Sequence, residues 1–153
     1  LNTLFNLLMT DPLLKNNKVI IFTEFLATAR YLHINLKRRG VLNIDAIDSM
    51  DNRDRDEVVK QFSPYYNYIT SQNIKDKGKK ETKVLISTDV LAEGLNLQDC
   101  TLLINYDIHW SPVRLMQRVG RIDRRLNDEI EKDIIADKPE VKKYRGKIKY
   151  WNF

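Results

Sequence analysis

The sequence predicts an α/β fold, a three-layer sandwich with a mainly parallel central sheet and helices on both faces. Two observations carry this expectation. Three short apolar runs (residues 18–22, 83–87 and 101–106) have the pattern of strands buried on both faces, and residues 42–47 add a fourth, more polar strand. Segments of helical period separate them, and strands alternating with helices make parallel βαβ units. A length of 153 residues, 42% of them hydrophobic, suits one domain with a full core.

Residues 1–9 carry Leu4, Leu7 and Leu8 on one side, which predicts a short helix stopping near Asp11-Pro12. Residues 18–22 (KVIIF) read as the first buried strand. Residues 25–39 place Phe25, Ala29, Leu32 and Leu36 on one stripe, an amphipathic helix ended by Gly40. Residues 42–47 form the second strand. Asp51 is the expected cap of a third helix, with Asp54, Asp56 and Glu57 in its first turn, where the dipole favours acids. That helix ends near Phe62. Residues 83–87 (KVLIS) and 101–106 (TLLINY) are the third and fourth strands.

Between them the pattern lapses. Residues 63–82 read as a surface insertion, partly mobile, with Tyr65, Tyr66 and Tyr68 followed by a lysine-rich stretch. A solubilising loop is the favoured reading, and backbone contact with base stacking is the alternative. Residues 126–153 form a charged C-terminal extension. It holds a solvated helix with Asp128, Glu129, Glu131 and Lys132, a break at Pro139, and a strand at 147–153. Tyr150, Trp151 and Phe153 are expected to pack against the domain or against the remainder of a longer chain.

A net charge of +5 favours a polyanionic partner. The single cysteine, Cys100, excludes an internal disulfide and fits a buried hydrophobe in a reducing, cytoplasmic compartment. No apolar run approaches the roughly 18 residues of a membrane span, and no signal-peptide pattern opens the chain. No membrane partner is expected. His33 and His109 lack companions at ligand spacing, so no metal site is expected. Because the chain starts at Leu1 and ends inside a strand-like run, it reads as a piece of a longer polypeptide.

Residues 110–125, WSPVRLMQRVGRIDRR, are chemically the most distinctive. They hold five arginines, one acid and no lysine. Ser111 can cap a helix, and Pro112 suits its first position. Leu115, Val119 and Ile122 can face a core, while Arg114, Arg118, Arg121 and Arg125 recur on another face. Cations aligned without acids repel one another, and an arriving anion relieves that repulsion. The fork of arginine pairs with phosphate oxygens and never loses its charge. A solvated basic face is the plain alternative. Gly120 argues against it, because a glycine inside a helix costs about 1 kcal/mol relative to alanine unless something approaches closely.

Gln117-Arg118-Val119-Gly120-Arg121-Ile122-Asp123-Arg124 resembles the QxxGRxxR signature of superfamily-two helicases and translocases. Two further stretches stand upstream in matching order. Residues 87–99 (STDVLAEGLNLQD) place Thr88, Gly94, Asn96 and Leu97 where the family's preceding motif has them, with Asp89 where arginine is frequent. Phe22-Thr23-Glu24-Phe25 is similar to the motif that opens this lobe. The resemblance covers roughly residues 18–125. It is nearest to the Swi/Snf translocases, and within them to the bacterial RNA-polymerase-associated branch, through the Trp110-x-Pro112-x-Arg114 approach.

What the resemblance implies is specific. The fold is a RecA-like, P-loop NTPase-type domain, the second lobe of a helicase. Arg121 and Arg124 are catalytic and reach the γ-phosphate of ATP. Gly94, Asn96 and Gln117 join them at the nucleotide, Gln117 linking its state to the helix. Thr23 and Thr88 contact nucleic-acid backbone, with a helix cap at the strand end as the alternative for Thr23, and Arg118, with Arg125, serves packing or nucleic acid. Arg55 matches a family arginine near the nucleotide-facing edge, with a salt bridge to Asp51 or Asp54 as the alternative. ATP and Mg2+ are held mainly by a first RecA-like lobe upstream, since the chain has no GxxxxGK[ST] loop. The piece alone is expected to be inactive. Partners implied are that lobe, nucleic acid (double-stranded DNA over RNA) and RNA polymerase or another DNA-bound complex. The rivals are a binding or interaction module without ATPase activity and an unrelated Rossmann-like enzyme. The latter is weak without a glycine-rich turn after the first strand.

Overall fold

A computed structural model describes residues 1–50 and 52–153. Its strands are β1 (Val19–Thr23), β2 (Ile44–Ala46), β3 (Val84–Thr88), β4 (Leu102–Asn105) and β5 (Lys149–Asn152). They form one all-parallel sheet in the order β2-β3-β1-β4-β5. The helices are α1 (Asn2–Thr10), α2 (Pro12–Asn16), α3 (Leu26–Arg38), α4 (Arg55–Phe62), α5 (Ser71–Asp76), α6 (Pro112–Ile122) and α7 (Asp128–Asp137).

Side chains alternate across the strands, which builds two cores from one sheet. Val19, Ile21, Val84, Ile86, Leu102 and Ile104 face α1, α2 and α3. Ile20, Phe22, Leu85 and Leu103 face the other way, against Val58, Val59 and Phe62 of α4 and Ile122 of α6. Each fully buried aliphatic or Phe side chain contributes roughly 1.5–3 kcal/mol, so truncating Ile21 to Ala costs about 2–5 kcal/mol.

The differences from expectation have local causes. The break at Asp11-Pro12 starts a further helix: Asp11 accepts the N–H groups of Leu13 and Leu14, and Pro12 takes the first position of α2. Phe25 is exposed and caps α3, so it leaves the apolar stripe. The second strand is short because Asn43 sits at φ +53, outside the extended region. Asp51 lies outside the described residues, and Asp54 caps α4 by accepting the Asp56 N–H.

The start of the 63–82 segment is anchored. Asp99 accepts the Ser63 hydroxyl and the N–H groups of Tyr65 and Tyr66. Tyr65 donates its hydroxyl to Asp137, and Tyr66 accepts the Asn127 N–H. These two tyrosines are buried against Ile134 of α7 and cannot stack on bases; Tyr68 alone of the three is exposed. At the other end of the chain, Trp151 and Phe153 pack on the α1–α3 side, with Phe153 stacked on Tyr106. Tyr150 alternates to the opposite face and stays exposed, so of the three aromatics it does not pack against the domain.

Connections leave β1 toward the β3–β2 side and leave β4 toward β5. This divergence opens a crevice beyond the carboxyl ends of β1 and β4, where ligands of such sheets bind.

Candidate functional site

Asp107, two residues past β4, organises that crevice. Its Oδ2 accepts the Thr23 hydroxyl at 2.6 Å and the Glu24 N–H at 2.7 Å. Its Oδ1 accepts Nη2 of Arg118 at 3.0 Å. Burial pushes the Asp107 carboxyl up, but the hydrogen bonds from Thr23, Glu24 and Arg118 outweigh it and hold it below the usual range.

Arg118 is enclosed. Its side chain is 0% exposed. It grips Asp89 with both prongs, Nε and Nη2 each 2.8 Å from a carboxylate oxygen. Nη1 reaches the Asp107 carbonyl at 3.1 Å and Asn105 at 3.4 Å, and the guanidinium lies over Phe22. Burial lowers its pKa, yet Asp89 and Asp107 more than reverse that, so it stays charged. The cluster ties α6 to the ends of β1, β3 and β4. Arg118 thus fills the packing role, the first of its two expected readings, with every guanidinium nitrogen bonded inside the domain, and the Thr23 hydroxyl is bonded to Asp107. Thr88 is 6% exposed and its hydroxyl accepts the Leu91 N–H, so that side chain too is engaged internally.

Arg121 and Arg124 differ sharply from Arg118. Both are partly exposed, and among the described residues neither makes an ion pair or hydrogen bond. The helix ends at Ile122, so Arg124 sits in the bend beyond it rather than one turn along from Arg121. Ile122 buries beside Ala92 and Leu97, which sets α6 next to the turn carrying Gly94. Gly94 has φ +75, a conformation that favours glycine, and open space where a Cβ would stand. Arg55 donates Nη2 to the Glu93 carbonyl at 2.9 Å and braces this turn instead of pairing with Asp54. Asn96 is exposed, with its carbonyl accepting from Asn67. Gln117 is exposed on α6.

The approach to α6 and its first two turns also expose apolar side chains. Ile108, Trp110, Val113 and Met116 are exposed, Trp110 at 99%. Ser111 makes no side-chain cap; its N–H donates to Nδ1 of His109. Arg114 lies 3.4 Å from Glu24. Among the described residues no group of three or more His, Cys, Asp or Glu could hold a metal ion, and no helix is long and apolar enough to cross a membrane.

A family model for the helicase conserved C-terminal domain matches residues 1–125. The chain belongs to that family. An uncharacterized ATP-dependent helicase of Bacillus subtilis strain 168, YqhH, is 35% identical over 137 residues, 88% of this chain and 22% of that protein. The ATP-dependent RNA helicase DBP5 of Meyerozyma guilliermondii is 27% identical over 139 residues, 87% of this chain and 26% of that protein. The helicase C-terminal domain thus spans about a quarter of the length of these relatives. The C-terminal part of the Fun30 ATPase domain superposes with a TM-score of 0.64 at 18% identity, covering 99% of this chain and 39% of that one. That likeness places the helicase C-terminal domain among RecA-like folds, as the motif resemblance implies, and the α/β class is the one the strand pattern predicts.

What the sequence left unassigned is the role of the acids: Asp89 and Asp107 stand just past the ends of buried strands, where a ligand-facing residue is expected, and instead they hold Arg118.

Proposed function

We propose that this domain is the arginine-bearing second lobe of an ATP-dependent nucleic-acid translocase, acting on ATP held by the first lobe. One observation supports it above the rest: the acid cage closes on Arg118 and leaves Arg121 and Arg124 uncompensated, while Ile122 between them shares a core with Ala92 and Leu97, which flank the Gly94 turn. Transfer of the γ-phosphoryl group to water builds charge on its equatorial oxygens, and an arginine placed there is worth roughly 10³–10⁵ in rate. Arg121 and Arg124 supply that charge, and the Gly94 backbone, free of a Cβ, admits an anion. The unneutralised guanidiniums fit the polyphosphate, and among the described residues no acid cluster suits Mg2+, which the opposing lobe would hold. The exposed Ile108, Trp110, Val113 and Met116 form a surface for that lobe to cover.

The Arg118–Asp89–Asp107–Thr23 cluster makes α6 and the β1 end one rigid body, so a cleft closing on ATP moves both together. Double-stranded DNA is the proposed track, on the likeness to the Swi/Snf group. Relatedness to an RNA helicase favours RNA as the second reading. In the full-length protein, Arg121→Ala with Arg124→Ala should abolish nucleic-acid-stimulated ATPase while equilibrium nucleic-acid binding persists. Loss of binding with ATPase intact would instead identify a plain nucleic-acid-binding module.

A further inference from the structure

The chain's charge is concentrated in one short segment. Residues 138–149 hold six cations (Lys138, Lys142, Lys143, Arg145, Lys147, Lys149) and one acid, Glu140. Their net +5 equals the net charge of the whole chain, so the rest is neutral in sum.

Two of the six cations are structural. Lys138 donates to Glu81 at 2.9 Å. Arg145 grips Glu131 with two 2.8 Å bonds and donates to the carbonyls of Gln98 and Asp99. The other four, Lys142, Lys143, Lys147 and Lys149, are exposed, and among the described residues no carboxylate pairs with them. This is so although α7, just before the segment, carries five acids and one lysine. A surface evolved only for solubility intermixes its charges; here the two signs are segregated.

The lysines are displayed on a fixed frame, not a loose tail. Arg145 pins the turn, Gly146 sits against Leu126, and β5 pairs in parallel with β4 from Lys149 onward. The turn therefore lies beside the segment that follows exposed Arg125. Val141, Tyr144 and Arg145 line a cavity of about 300 Å³ with Lys18, Lys83 and Thr101, residues that precede strands. The patch thus occupies the opposite end of the sheet from Asp107 and Gly94. It also lies beyond the residues 1–125 that the family accounts for.

We propose that Lys142, Lys143, Lys147 and Lys149 form a second nucleic-acid surface that grips the phosphodiester backbone away from the arginine rim. Four separate ammonium groups along a segment do not converge on one small anion. They suit an extended array of charge, and a DNA duplex offers one negative charge per ~1.7 Å of axis. Lysine, a compact point charge without a fork, grips phosphate without reading sequence. Such a surface holds the domain on its track while the ATP-gated face releases. The choice of nucleic acid rests on family membership and is independent of the roles given to Arg121 and Arg124.

The test uses the full-length protein and a fluorescent DNA duplex, with affinity measured across a salt series. Each phosphate contact adds about 0.9 to the slope of log affinity against log salt, so replacing the four lysines with Gln should lower the slope by about 2–4. Replacing them with Arg should retain it, and ATPase without nucleic acid should stay unchanged in both. An unchanged slope in the Gln variant would overturn the proposal. An equal loss in the Arg variant would do the same, since it would reveal a folding role. The Arg121→Ala, Arg124→Ala protein should keep the parental slope, so failure of the arginine reading and failure of this one are separately visible.

Discussion

Two arginines three residues apart in one helix should respond to the same substitution in opposite ways. Arg118→Ala removes a guanidinium with two bonds to Asp89, two to Asp107 and one to Asn105. Asp89 and Asp107 are then left facing each other without a counter-ion. Breaking a buried pair by removing one partner costs about 3–5 kcal/mol. Both acid side chains keep 28% exposure, so water partly compensates them and the lower end applies, ~3 kcal/mol. Arg121→Ala removes a part-exposed side chain with no polar partner among the described residues, and should change stability by no more than about 0.5 kcal/mol. Chemical denaturation of the two variants, read together with hydrogen exchange of the β1 and α6 amides, measures the difference. Equal destabilisation by the two substitutions would refute the division between an internal arginine and a presented one.

The remaining predictions concern the acid limb and the glycines. Glu81 bridges Lys18 and Lys138; burial raises its pKa, but the two ammonium groups overcome that and bring it to about 2. A folded pKa below the unfolded value near 4.5 stabilises above that pH and is lost as pH falls toward 2. Glu81→Gln should therefore cost ~3 kcal/mol at pH 7 and flatten the acid-denaturation profile between pH ~5 and ~2; a parallel profile would contradict this. Gly94→Ala meets no atom but must hold φ +75, so it should destabilise by roughly 1–2 kcal/mol in a thermal melt. Gly120→Ala also meets open space, at a helical position, and should stabilise by up to about 1 kcal/mol. If a partner lobe approaches that helix, the same variant should lower ATPase in the full-length protein despite its higher melting temperature.

The strands were legible because β1, β3 and β4 are buried on both faces and so read as unbroken apolar runs. Their alternation into two cores needed only the period of a pleat. The fate of Arg118 was not legible. Helical spacing put it on a face with Arg114 and Arg121, but burial depends on Asp89 and Asp107, which arrive from the ends of two other strands. The anchoring of Tyr65 and Tyr66 was hidden for the same reason, since Asp99 lies more than thirty residues away. A helix end is likewise a weak sequence signal: five arginines suggested continuity to residue 125, whereas α6 stops at Ile122. By contrast, the start of α2 was available from its Asp-Pro signature.

The most direct measurement is single-turnover hydrolysis of saturating ATP by the full-length protein carrying Arg121→Ala, set beside its nucleotide affinity. If the guanidinium acts on charge that develops during phosphoryl transfer, the rate should fall by about 10³-fold or more while affinity for ATP changes less than about tenfold. A rate within tenfold of the parent, or a fall matched by an equal loss of affinity, would mean that this arginine does not serve the reaction.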